Sequence, residues 1–468
     1  MIPVKFFLKL SLLLFITVIS GVILAQQTDI KSFSMKEAQD FAVNNYVLNK
    51  NAKIDIALAK KKIWETTAIG LPQINGTIQY QDMLDVPTTL LPDFITPAVV
   101  GINERYFGLT PTQDLPATEF FPAKFGTQHN LTYGGTLSQL IFNGQYLVGL
   151  QAARTFLDVS KQSSEKTEIE TRQTVATTYV LLSVLKENKK LLDDMLPVTE
   201  RMVFEADESF KNGLIDDITR DQVKLNLTNI KNSITALERN IEVTERLLKF
   251  QMGLDLSANI TLKDSVKGLL NQLNLEPILL SGLKLDNHID YRLMKTQEKM
   301  SWLNLKKEQS TYLPVISGFY TYQQRAMRNK FDFFDANKDW YPTTIIGIQM
   351  DIPIFSSFMK QSKVQQARLS LEKTKNLLNQ VAQGLELTAE QCRTNYNSAL
   401  DKFKKESDNF QLADNIYKKT NTKFKEGIAS STEVTLATNQ YLTTESGYYT
   451  SILELLIAKI NYDKAVNN

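Results

Sequence analysis

Two hydrophobic periods divide this chain. Over 73–81, Gln73, Asn75, Thr77, Gln79 and Gln81 alternate with Ile74, Gly76, Ile78 and Tyr80. A second stretch sets Leu131, Tyr133 and Leu137 against Thr132, Gly134, Thr136 and Ser138. A third sets Ile316, Gly318, Tyr320 and Tyr322 against Ser317, Thr321 and Gln323 with Phe319, and a fourth sets Ile346, Ile348, Met350 and Ile352 against Gly347, Gln349 and Asp351. Successive side chains leave a strand on opposite sides, so each stretch predicts a strand with one apolar and one polar face. From Val364 the apolar positions step instead by three and four, through Ala367, Leu371, Leu378, Leu385, Thr388, Cys392, Tyr396, Ala399, Phe403, Phe410, Ala413 and Tyr417 to Phe424. That is a coiled-coil seam. Leu385, Thr388, Cys392 and Tyr396 step 3-4-4, an eleven-residue spacing that relaxes the left-handed supercoil. No proline follows Pro353, so a helix over 360–424 can run unbroken for roughly 100 Å.

The pattern occurs twice. Residues 71–81 match 313–323 at an offset of 242, opening on Leu71-Pro72 and Leu313-Pro314. Ile141-Phe142 matches Ile354-Phe355 at an offset of 213, and Phe210-Lys211-Asn212-Gly213 matches Phe424-Lys425-Glu426-Gly427 at 214. The first copy therefore carries about 28 extra residues in one connection, the proline-rich segment 82–130 with aromatics from Phe94 to Phe125. Each copy reads helix, strand, loop, strand, long helix, turn, helix. The boundaries expected are a first repeat over 26–252, with strands at 71–82 and 130–142 and helices at 144–212 and 217–252. A linker follows at 253–285. The second repeat covers 286–468, with a helix at 286–312, strands at 313–324 and 343–355, and helices at 358–426 and 431–466. The fold class is α+β.

Composition removes most chemistries. One cysteine, Cys392, excludes a disulfide framework within the chain and a cysteine zinc cluster. Two histidines, His129 and His288, leave no basis for a histidine metal site. No phosphate loop, His-x-x-x-His pair or nucleophile elbow occurs, so an enzyme or a cofactor is not expected. Lys5 and Lys9 precede the apolar run 10–24, and Ala25 follows; this reads as a secretory signal cleaved after Ala25, over residues 1–25, with no cysteine there for a lipid anchor. Beyond it, 51 basic residues balance 51 acidic ones, which gives no footprint for nucleic acid. No later stretch is long and apolar enough for a membrane helix, so a chain that crosses a membrane does so as strands.

Four strands cannot stand alone in lipid, because open edges leave backbone groups without partners and barrels need about eight strands or more. Copies of the chain must then close the sheet, and the polar faces would line water.

With its twofold repeat, its Leu-Pro strand openings, and its Phe-x-x-Gly turns at Gly213 and Gly427, the chain resembles the TolC-type outer-membrane channels of bacterial efflux and type I secretion systems. Asp217-Ile218-Thr219-Arg220 after the first turn resembles that family's turn into its second helix. The resemblance covers about 34–465. Two departures are His288-Ile289-Asp290, where many members have Arg-Pro-Asp, and Thr432-Glu433-Val434, where an Asp is usual. The resemblance implies a homotrimer with a 12-stranded barrel in the outer membrane of a Gram-negative bacterium. It implies an α-helical barrel through the periplasm, a periplasmic adaptor (membrane fusion) protein and an inner-membrane pump. It implies adaptor-docking tips at Phe210, Gly213, Leu214, Phe424, Gly427 and Ile428. A periplasmic gate or selectivity ring is expected among Asp216, Asp217, Arg220, Asp221, Glu426 and Glu433. Asp217 and Ser431 are also natural N-caps, and acids at helix starts otherwise serve the helix dipole. Trp340 fits an interfacial anchor, while Trp64 and Trp302 fit helix packing. The function expected is a passive exit duct for small toxic molecules. The alternatives are the same channel serving protein secretion and, in another class, a periplasmic coiled-coil scaffold with a soluble sheet.

Overall fold

The computed structural model describes residues 31–92, 95–109, 120–273, 275–279 and 282–466. The leader and Phe94 lie outside the described residues. In chain order the elements are β1 (Lys31–Phe33), α1 (Met35–Asn45), α2 (Val47–Ala68), β2 (Gln73–Asp82), β3 (Thr88–Pro92), α3 (Ile95–Ile102), β4 (Phe120–Lys124), β5 (His129–Phe142), α4 (Gly144–Lys211) and α5 (Asp217–Met252). Then follow β6 (Ile260–Leu262), α6 (Val266–Asn271), α7 (Ile289–Ser310), β7 (Val315–Arg328), β8 (Tyr341–Asp351), α8 (Met359–Lys425) and α9 (Ser431–Val466). The chain divides into two compact units, one of residues up to Lys60, Thr155–Ser301 and from Ser370 onward, the other of Lys61–Arg154 and Trp302–Leu369.

The first unit is helical, and its apolar stripes are spent on each other. One cluster joins Val175, Tyr179 and Leu182 of α4, Leu248 and Met252 of α5, Tyr396, Leu400 and Phe403 of α8, and Ile452 and Leu455 of α9. Tyr179 ties this cluster to the short parallel β1–β6 pair: its hydroxyl donates to the Phe33 carbonyl at 2.9 Å and accepts the Asp264 N–H at 3.2 Å. A second cluster holds Leu192, Met195, Ile230, Ile234, Tyr417 and Tyr441. The expected seam on α8 is buried at Leu371, Thr374, Tyr396, Phe403, Ala413 and Tyr417. It departs at Thr388, which is exposed, while Ala389 beside it is fully buried. Ala389 packs with Tyr462 and Val466 of α9 and Cys392, and its small side chain lets the Tyr462 ring approach. The step from Leu385 is therefore four residues, not three. Cys392 is half-buried, and burial pushes its thiol pKa up, which suits a packed residue rather than a nucleophile. α4 runs its full length with Pro197 inside it, a position that removes one backbone hydrogen bond.

The second unit is built on an antiparallel sheet in the order β2-β5-β7-β8. Directly opposed residues share a face, so the register assembles rows across all four strands. Ile74, Leu137, Tyr320 and Ile346 form one row, and Ile78, Tyr133, Gln324 and Pro342 another on the same side. The other side carries the row Asn75, Thr136, Thr321 and Ile345 and the row Thr77, Gly134, Gln323 and Thr343. Phe319, the aromatic exception on the polar side, lies over Gly347 of β8, where an added Cβ would meet its ring at 2.6 Å. The ring thus covers a position with no side chain of its own.

Three expectations change here. β7 extends to Arg328, four residues past the expected end, and β8 closes at Asp351 rather than at 355, because Pro353 has no N–H to give the ladder. The long connection after β2, which shows no period in sequence, contains the β3–β4 hairpin and α3; five-residue strands and an eight-residue, largely apolar helix are too short to register as periods. Trp64 and Trp302, expected to pack between helices, are 64% and 44% exposed. Trp340 instead packs edge-on against Tyr133 at 5.0 Å and near Phe333.

Candidate functional site: two helical turns and an uncovered sheet

The two turns of the helical unit share one backbone solution. After α4, the Gly213 N–H donates to the Phe210 carbonyl at 2.9 Å and the Leu214 N–H to Ser209 at 2.9 Å. After α8, the Gly427 N–H donates to Phe424 at 2.9 Å and the Ile428 N–H to Lys423 at 2.8 Å. Both glycines sit at φ 72, the left-handed conformation in which a Cβ is strained. This closure satisfies the last helical carbonyls and projects the next residue outward: Leu214 and Ile428 are 75% and 71% exposed. Beneath them the two hairpins share one cluster, in which Met202, Ala206, Val223 and Val434 are buried and Ile215 and Phe424 are packed against them. The tip residues named from sequence are thus brought together in part. Phe424 enters the shared cluster, whereas the Phe210 ring takes the Arg220 guanidinium at 4.3 Å.

The acidic residues at the turns mostly serve the helix starts. Asp216, not Asp217, caps α5: its carboxylate accepts the Thr219 N–H at 2.8 Å, and hydrogen bonds from Thr219 hold its pKa below the usual carboxylate range. Asp217 accepts the neighbouring Ile218 N–H at 3.0 Å. On the second hairpin Ser430, not Ser431, is the cap. Its hydroxyl accepts the Glu433 N–H at 3.2 Å while the Glu433 carboxylate accepts the Ser430 N–H at 3.2 Å, a reciprocal capping box. Arg220 pairs within its own helix, to Asp221 at 2.7 Å. Glu426 is exposed. Lys224–Asp207 at 2.8 Å and Lys231–Glu200 at 2.9 Å stitch α4 to α5.

One polar group was missed. Glu445 on α9 is 2% exposed, one of its carboxylate oxygens has no hydrogen-bond partner, and burial pushes its pKa up to about 8. The signal was available: Val434, Thr438, Tyr441, Glu445, Tyr448, Ile452 and Leu455 step by four and three, which puts a carboxyl on the buried seam. His288 is also buried, which lowers its pKa; its Nδ1 accepts the Asp290 N–H at 3.2 Å, and Asp290 pairs with Lys166 at 2.7 Å.

In the sheet unit aromatic rings of the β7–β8 connection pack on Tyr80 and Tyr133, and the isoleucines of the apolar side have no cover among the described residues. Ile74, Ile78, Ile346 and Ile348 are 79%, 82%, 82% and 75% exposed. Among the described residues β2 and β8 each keep one edge unpaired. No helix among the described residues is long and apolar enough to cross a membrane, and no group of three or more His, Cys, Asp or Glu is placed to hold a metal ion.

No family model and no curated protein matches this sequence. Solved structures match it over nearly its whole length. The Campylobacter jejuni CmeC outer membrane channel is 16% identical, with 92% of this chain and 85% of that one covered at a TM-score of 0.71. The open state of the Neisseria gonorrhoeae MtrE outer membrane channel is 13% identical, covering 93% and 89% at 0.70. The outer membrane protein VceC of Vibrio cholerae is 13% identical, covering 93% and 96% at 0.67. At such identities the likeness is one of architecture: the chain has the fold of the TolC-type outer-membrane channels.

Proposed function

We propose that this chain is the outer-membrane channel of a tripartite export system, a homotrimer that provides a passive exit duct for small molecules. The uncovered apolar face of the sheet carries this reading. In water that face would be a large exposed patch, whereas in hydrocarbon it is solvated. The open edges then need partners, since each unpaired backbone group in lipid costs several kcal/mol. Joining β8 of one copy to β2 of the next removes every edge, and three copies of this sheet supply twelve strands. The row Asn75, Thr136, Thr321 and its neighbours would line a water-filled lumen.

The helical hairpins would stand in the periplasm, where an adaptor docks and links the duct to an energy-supplying inner-membrane pump. Leu214 and Ile428, held outward by the same turn, are the apolar contacts of that docking surface, two per chain. The matched helix lengths, 68 and 67 residues for α4 and α8 and 36 each for α5 and α9, support two copies of one ancestral unit. A resting gate would use charges at the turns, with Asp217 the least committed within its own hairpin.

The test is the mass of the purified protein in detergent together with single-channel current in planar bilayers. A trimer with ohmic conductance is expected; a monomer without conductance ends this reading. Carbonate washing of outer membranes separates an integral barrel, which stays, from a scaffold, which washes off.

A further inference from the structure

We propose that the helix-to-sheet junction is a collar that binds the phosphate headgroups of anionic glycerophospholipids, an inference that rests on the barrel reading above. The register places all four junctions at one end of the sheet. Gln73 begins β2, Phe142 ends β5, Val315 begins β7 and Asp351 ends β8, and these termini are neighbours in the ladders. The helix ends meet there too: the Tyr146 hydroxyl donates to the Thr67 carbonyl at 3.2 Å, Gln139 to the Gly70 carbonyl at 2.7 Å, and Lys360 to the Thr311 carbonyl at 2.6 Å.

Charge at this end is one-sided. The segments 61–70, 302–312 and 352–363 hold Lys61, Lys62, Lys306, Lys307, Lys360 and Lys363 against Glu65 and Glu308, while 144–153 carries no charge. Glu65 is already taken by Lys62 at 2.7 Å. Lys61, Lys306, Lys307 and Lys363 are exposed and have no carboxylate partner among the described residues. The opposite end of the sheet shows no such excess. Asp82, Asp85, Asp332, Asp335 and Asp339 face Lys124, Arg328, Lys330 and Lys338 there, and Asp332 pairs with both Arg328 and Lys338.

Aromatic rings lie on the same segments. Trp64, Trp302 and Tyr312 are 64%, 44% and 51% exposed, and Phe355 and Phe358 are 77% and 70% exposed. The ammonium groups of Lys306 and Lys360 lie 5.6 Å from the Trp302 ring and 5.7 Å from the Tyr312 ring. Ser357 and Phe358 adopt φ 46 and 62, a strained backbone for residues other than glycine, in the turn that displays both phenylalanines. Amphipathic rings and exposed lysines on segments that adjoin an apolar sheet face match the chemistry of a headgroup layer: phosphate, glycerol ester and the first methylenes.

Tryptophan fluorescence reads this directly. A Trp340→Phe variant of the full chain leaves Trp64 and Trp302 as the only reporters. It is placed in nanodiscs of unlabelled phosphatidylcholine, with a minor fraction of either brominated phosphatidylglycerol or brominated phosphatidylcholine. Quenching should favour the anionic lipid, with an enrichment of about fivefold at low salt. The preference should shrink at high salt and fall to parity when Lys61, Lys306, Lys307 and Lys363 are all changed to Gln. Equal quenching by the two lipids, or a preference that survives the four substitutions, overturns the collar while leaving the barrel intact. Lysines that line the lumen instead would change ion selectivity without changing quenching, which also overturns it. A chain that elutes apart from nanodiscs overturns the barrel reading itself.

Discussion

The helical unit and the sheet unit use the same apolar residues to opposite ends. On α8 and α9, Leu400 and Leu455 are fully buried against residues of their own chain. On β2 and β8, Ile78 and Ile346 are each 82% exposed, with no cover among the described residues. A period of three and four brings helices together because each stripe fits another stripe. A period of two brings strands together through the backbone and leaves the side-chain faces still to be satisfied. The first unit therefore satisfies its own apolar stripes, and the second leaves an apolar face open among the described residues.

The sharpest way to break that contrast is to cut each region in turn. Leu400→Ala should remove 2–5 kcal/mol of stability, roughly the usual cost of a cavity at a fully buried leucine, read as a lower denaturation midpoint. Ile78→Lys should leave the helical melting transition in place. It should instead cost about 2–4 kcal/mol in the bilayer, seen as lost membrane-inserted trimer. Asn75→Lys, on the opposite face of the same strand, should insert normally. If Ile78→Lys and Asn75→Lys behave alike, the sheet is a soluble one and the two regions do not differ in the way argued.

What could be read in advance follows the same division. Which residues share a face was legible at Ile74, Ile78, Ile346 and Ile348, because alternation is a local property of the backbone. What lies against that face was not, since no described residue covers these isoleucines and alternation says nothing of a partner. Along α8 the three-and-four template carries the seam to Leu385 and then misplaces it at Thr388; a template cannot see that Ala389 is the residue Tyr462 can approach. At the turns the doublets Asp216-Asp217 and Ser430-Ser431 offer two chemically equal caps, and only the folded backbone decides: it is extended at Asp216, and the Ser430 hydroxyl is the one that reaches the Glu433 N–H. Trp64 and Trp302 look like packing residues in a helix and are exposed in the single chain, because helical spacing does not say which stripe another helix will meet. Glu445 was legible by position and passed over, since a carboxyl on a seam contradicts the reason for drawing the seam.

Glu445 makes the helical unit sensitive to pH from within its buried seam. Its pKa rises from the ordinary 4.5 to about 8 on folding, so within that window the folded chain keeps a proton that the unfolded chain releases. Stability is thus fully present below about pH 4.5 and is lost as pH rises toward 8, by up to roughly 1.4 kcal/mol per pH unit. Glu187 of α4 and Asp414 and Glu406 of α8, which lie around the neighbouring Tyr441, Gly447 and Tyr449, are acidic too, Asp414 being paired with Lys418 at 2.7 Å, and Tyr441 and Tyr449 are held neutral by their own burial. None of them supplies a counter-charge. Glu445→Gln should therefore raise the midpoint of thermal unfolding at pH 8, change it little at pH 4.5, and flatten the profile between. An unchanged slope would mean that the carboxyl finds water in the assembled protein.

The smallest effect lies inside the helical unit, between its two turns. Gly213 and Gly427 have the same φ and the same pair of closing hydrogen bonds, and an added Cβ meets no atom within 4 Å at either. Alanine at either site therefore costs only backbone strain, about 1 kcal/mol, with no clash to confuse the reading. Equal turns should give equal losses in global stability. The helices that lead into them are not equal: α4 carries Pro197 ahead of its turn, where one backbone hydrogen bond is missing, and α8 has no proline. Strain placed at Gly213 can thus be relieved by opening back to a break already present, whereas strain at Gly427 meets a continuous helix. Hydrogen exchange should show Gly213→Ala speeding exchange from the turn back toward Pro197, and Gly427→Ala speeding it only in the last turn of α8. Matching exchange in both hairpins would show that Pro197 is absorbed without weakening its helix, and that the two turns are equivalent in energy as well as in geometry.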